Sequence, residues 1–74
     1  NPETTIEFQI NKSSDVKLQV FDLQGNLIET LMNNNQAAGN YRVTWNATNY
    51  PSGIYVYKLI NGNSNETRKC LLLK

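Results

Sequence analysis

Apolar and polar residues alternate with period two along most of this chain, and turn formers interrupt the pattern at intervals of roughly a dozen residues. Successive side chains of an extended strand point to opposite sides, so such a pattern buries one face and wets the other. No segment carries the 3.6-residue period of an amphipathic helix over a useful length, so no helix is expected. The chain is thereby confined to folds built by pairing short strands.

Six strands follow. In the first, Thr4 to Ile10, residues Ile6, Phe8 and Ile10 oppose Thr5, Glu7 and Gln9. Asn11 to Asp15 are turn formers. Val16, Leu18 and Val20 share a face of the second strand, and Phe21 is apolar on the opposite phase, which suggests a bulge or a second contact surface. Asp22 to Asn26 read as a hairpin loop: the Asp carboxylate can accept backbone N–H groups two residues on, and Gly25 or Asn26 can take positive φ. Leu27 to Met32 form the third strand, and Asn33 to Gln36 a polar loop. Tyr41, Val43 and Trp45 alternate with Arg42 and Thr44 in the fourth. Asn46 to Tyr50 are irregular, and Tyr50-Pro51-Ser52-Gly53 suits a type I turn. The fifth strand, Ile54 to Ile60, is the most apolar. Asn61-Gly62 opens a hairpin loop expected to run to Asn65, before a last strand from Glu66 to Leu73. This spacing argues for an all-β, antiparallel sandwich.

Length and composition narrow the function. Seventy-four residues allow one domain, and a chain this short buries only about 60% of its unfolded surface, which leaves a thin core. There is no His, so the usual proton shuttle near neutral pH and the commonest metal ligand are missing. One Cys without His cannot make a zinc site, and a lone Cys cannot form an internal disulfide. A net charge of +1, with cations spread along the chain, offers no nucleic-acid patch. No apolar run approaches the roughly 20 residues of a membrane-spanning helix, and no secretory signal opens the chain. Neither cofactor nor metal is expected. The start at Asn1-Pro2, without an initiator Met, suggests that residues 1–74 are the final piece of a longer protein.

Candidate reactive groups read as structural. Asp15 and Asp22 lie seven positions apart on one strand, pointing to opposite faces, and Glu3, Glu7, Glu29 and Glu66 are scattered over solvated edges and turns. Ser13, Ser14, Ser52 and Ser64 lie in turns with no activating base. Cys70 shares a face with Leu72, as a small buried hydrophobe would. Three glycosylation-like triplets begin at Asn11, Asn46 and Asn65, but with twelve Asn in the chain such matches arise by chance. The aromatics between Tyr41 and Tyr57 run in phase with aliphatics, which favours the core over a sugar-binding platform. One feature fits less easily: the fifth strand and the tail are apolar on both faces. Ile54, Val56 and Ile60 would then face a partner, or else lie under neighbouring loops.

The ordered set of these features resembles a known family. It comprises Asn1-Pro2; Ile6-x-Phe8; Val16-x-Leu18-x-Val20-Phe21-Asp22-x-x-Gly25; Ala38-Gly39 before Trp45; Ser52-Gly53-Ile54-Tyr55 with Leu59; and Lys69-x-Leu71-x-Leu73-Lys74. In order and spacing this resembles the type A C-terminal sorting domain of the type IX (Por) secretion system of Bacteroidetes-type bacteria. Asn46 stands where Asp is common in the family, and Cys70 is unusual in the terminal strand.

The resemblance implies a small immunoglobulin-like sandwich of about seven strands, the seventh expected within Asn46 to Tyr50. It implies a non-catalytic signal at the end of a cargo protein, recognised once the cargo reaches the periplasm, with shuttle protein, translocon and surface sortase as partners. The signal guides cargo across the outer membrane of a Gram-negative cell to the surface or medium, and is usually then cleaved. Gly39, Trp45, Gly53, Tyr55, Lys69, Leu71, Leu73 and Lys74 are the motif positions. The glycines suit turns into strands, Trp45 and Tyr55 the thin core, and the basic, apolar tail suits strand pairing with a receptor. An unmated apolar strand also suggests a homodimer. The competing reading is an immunoglobulin-like accessory module retained on an enzyme, as spacer or weak carbohydrate binder. Flagellar hook-capping proteins contain a related domain sharing the Trp and Gly-x-Tyr features. A free-standing enzyme has the least support.

Overall fold

A computed structural model describes residues 3–73. The expectations for Asn1, Pro2 and Lys74 lie outside the described residues. Six strands occur in the order β1 (Glu3–Ile10), β2 (Ser14–Phe21), β3 (Leu27–Gln36), β4 (Gly39–Asn46), β5 (Gly53–Asn61) and β6 (Ser64–Leu72). They form two antiparallel sheets, β1-β4 and β3-β2-β5-β6, packed face to face as a small immunoglobulin-like sandwich.

Alternation decides what lies between the sheets. Ile6 and Ile10 of β1, Val16, Leu18 and Val20 of β2, Trp45 of β4, Tyr55 of β5 and Leu72 of β6 are all buried. Each is on the inward phase of its strand. Among the described residues no polar or charged residue is fully buried, and every buried side-chain polar atom has a partner. A core this thin therefore avoids the cost of an unmet buried hydrogen bond.

Three boundaries differ from expectation. Asn33 to Gln36 are not a loop: they extend β3 and pair with Lys17 to Ser14. β3 is a sheet edge, where a strand needs no second apolar face, and Asn35 Nδ2 donates to Asp15 Oδ1 at 3.1 Å across the pair. The last hairpin is shorter than expected, with β6 starting at Ser64 directly opposite Asn61. No seventh strand forms within 46–50. Asn46 Oδ1 accepts the Thr48 backbone N–H at 3.0 Å, and the Tyr50 N–H donates to the Ala47 carbonyl at 3.0 Å. Both bonds curl the segment into a turn and occupy groups a ladder would need.

The bulge suggested by Phe21 is present, and there are two. The register of β2 against β3 shifts between Leu18 and Gln19 and again between Val20 and Phe21. Leu31 and Ile28 are the extra residues on β3, and both pack against the core cluster. At Asp22 the expected loop forms: its Oδ1 accepts the backbone N–H groups of Gln24 and Asn26, each at 2.9 Å. Gly25, with φ 89°, supplies the positive φ; Asn26 does not.

Candidate recognition face

The motif residues separate into an inner and an outer set. Trp45 and Tyr55 are inner, with exposures of 1% and 5%, and their rings meet edge to face at 5.3 Å. Tyr50 lies tilted against Trp45 at 5.8 Å. Glu29 completes the cluster: its Oε1 accepts from Trp45 Nε1 and from the Tyr50 hydroxyl, each at 3.3 Å. This carboxylate was expected among solvated edges. The bulge at Ile28 brings it inward, and strict alternation along β3 gives no sign of that. Burial, followed by the nearby Glu29 charge, pushes the Tyr50 phenol above its ordinary value.

Tyr55 donates its hydroxyl to the Pro51 carbonyl at 2.7 Å, tying β5 to the turn before it. With its ring buried against Trp45, Tyr55 has no open face to offer a sugar. Gly39 and Gly53 are the first residues of β4 and β5, with φ of 154° and 156°. A Cβ on Gly53 would meet nothing within 4 Å, so backbone conformation and not close approach calls for glycine there. Cys70 is half-buried against the core, its Sγ 3.7 Å from Thr4 Oγ1 of the other sheet.

The outer set lies on the solvent side of the four-stranded sheet. Lys69 and Leu71 point outward from β6, and Leu73 follows one residue past its end; the leucines are 63% and 66% exposed. Leu72, between them, is buried. Leu71 faces Ile54 across the β5–β6 pair, and Lys69 faces Val56. Val56 in turn faces Phe21 of β2, and Phe21 faces Leu27 of β3. The patch thus spans all four strands, and Phe21, Leu27 and Leu71 belong to it beside the expected Ile54 and Val56. Ile54 is exposed, and Val56 is half-buried. Ile60 is half-buried at the other end, between Lys17 and Asn65, and Lys58 separates it from the patch. The Lys58 ammonium sits 5.7 Å from the centre of the Phe21 ring.

The outside of the two-stranded sheet is different. Its outward residues include Thr5, Glu7, Arg42 and Thr44, with Arg42 Nη2 2.7 Å from Glu7 Oε1. It offers no apolar surface. Among the described residues no three of His, Cys, Asp and Glu come together as metal ligands would.

A family model described as the secretion system C-terminal sorting domain matches residues 1–73. No curated protein and no solved structure matches the chain. That match covers nearly the whole sandwich, inner cluster and outer patch alike. The chain therefore belongs to the family of C-terminal sorting domains of the type IX secretion system, signals for export to the cell surface or the medium.

Proposed function

We propose that this domain is the C-terminal signal of a longer exported protein and performs no chemistry itself. An N-terminal cargo would be carried across the outer membrane by shuttle and translocon, and a surface sortase would then remove the domain. The family match over residues 1–73 carries this reading. The arrangement of side chains supports a division of labour. Gly39, Trp45, Gly53 and Tyr55 make the domain fold, while Lys69, Leu71 and Leu73, with Ile54 and Val56, are available to the export machinery. Ile60 has no part in that surface.

The test is a reporter fused ahead of residues 1–74 in a host with a working type IX system. The reporter should reach the medium or surface, and its mass there should lack the domain. A reporter held in the periplasm contradicts the export function. A reporter exported with the domain still attached contradicts the cleavage step and favours a retained module.

A further inference from the structure

We infer that the free edge of β6 accepts an extended strand from a partner protein whose every second side chain, on the outer face, sets one acid against Lys69 and apolar groups against Leu71 and Leu73. This rests on the sorting reading and supplies the chemistry of the partner.

Charge indicates the partner's sign. The outer face of the four-stranded sheet carries Lys17, Lys58 and Lys69. Neither ion pair among the described residues involves any of them. One carboxylate shares that face, Asp15, at the far end, where it accepts from Asn35. A second copy laid face to face would set lysine against lysine. An acidic partner would instead supply the missing counter-charges.

The edge indicates the partner's form. β6 pairs with β5 over all nine residues without a register shift, and its other side carries no strand among the described residues. It therefore presents an unbroken row of unmet backbone N–H and C=O groups. The opposite edge of this sheet, β3, is interrupted by two bulges and ends in a polar run, a form that discourages pairing. β1 and β4 also have free edges, but the residues beside them are polar and Glu7 is already paired with Arg42. At β6 an uninterrupted free edge adjoins the apolar patch, whereas the β3 edge reaches it at Leu27 beside a bulge. A polypeptide strand can satisfy both at once. Its backbone would continue the sheet, and every second side chain would lie about 5 Å from Lys69, Leu71 or Leu73.

The test uses the 74-residue chain and two capped peptides, one with Glu, Val and Val at successive alternate positions and Thr between them, and one with Lys in place of that Glu. Amide hydrogen exchange is read by NMR. The Glu peptide should slow exchange at every second residue of β6, and the Lys peptide should not. Lys69→Glu should weaken the Glu peptide roughly tenfold and favour the Lys peptide. The inference is overturned if the Glu peptide leaves β6 exchange unchanged. It is equally overturned if both peptides act alike, or if anionic phosphatidylglycerol vesicles or the chain's own concentration protect β6 in their place. Leu72 anchors the strand, so exchange at core residues reports whether each variant is folded. Export of a wild-type reporter fusion is read in parallel: its failure counts against the sorting reading, while the exchange data alone decide the edge.

Discussion

Trp45 is the core side chain whose loss is expected to cost this domain the most stability. It is the largest fully buried side chain, and from the two-stranded sheet it clusters with Val20, Tyr55 and Leu72 of the four-stranded one. Removing such a ring costs about 3–5 kcal/mol, against roughly 4–11 kcal/mol for a whole domain of this length at 0.05–0.15 kcal/mol per residue. Trp45→Ala should therefore leave a large unfolded fraction at 25 °C, measurable by urea denaturation. Gly53→Ala has no steric neighbour to meet and should cost about 1–3 kcal/mol through backbone strain alone. Tyr50 gives a pH signature. Its phenol is held above the ordinary 10.0, so the folded state keeps a proton that the unfolded chain releases near that pH. The resulting stability is present below pH 10 and is lost as pH rises through the raised value. Tyr50→Phe should flatten the alkaline decline in melting temperature relative to wild type.

At the scale of elements, β6 permits a comparison between neighbours. Leu72→Glu buries a carboxylate in the core and should unfold the domain, whereas Leu71→Glu is a surface change and should alter stability by no more than about 0.5 kcal/mol. Thermal melts of the two variants check this. The loop after β2 gives an acid-side counterpart. Hydrogen bonds, first from the Asn26 backbone and then from its side chain, hold the Asp22 carboxyl below the ordinary 3.8. Its stabilisation is present above that value and lost as pH falls through the lowered one, so Asp22→Ala should flatten the acid limb of the melting curve. Much of this scale was legible in the sequence. Alternation identified the buried phase of β1, β2 and β4, and the odd phase of Phe21 pointed to a bulge. Period-two reading fails where a bulge inserts a residue, so the inward turn of Glu29 and the outward position of Leu27 were not legible. An edge strand needs no hydrophobic pattern, which hid the Asn33 to Gln36 extension. The local hydrogen bonds of Asn46 likewise left no trace in hydropathy.

For the whole molecule, the two outer faces divide the work of the fold. One is polar and self-paired; the other gathers the terminal motif, an apolar patch, three lysines and an open edge at one sheet. The sorting-motif candidates stood out in the sequence as an ordered pattern, with Trp45 and Tyr55 assigned to the core and the basic, apolar tail to a partner; that Phe21 and Leu27 join Ile54 and Val56 on one face was not legible, because that depends on which strands become neighbours. The proposed role of this folded surface is to send its cargo out of the cell. Its most direct test compares one reporter fusion in a host with a working type IX system and in the same host lacking the outer-membrane translocon. Reporter is expected at the surface or in the medium of the first and in the periplasm of the second. The same distribution in both hosts would contradict it.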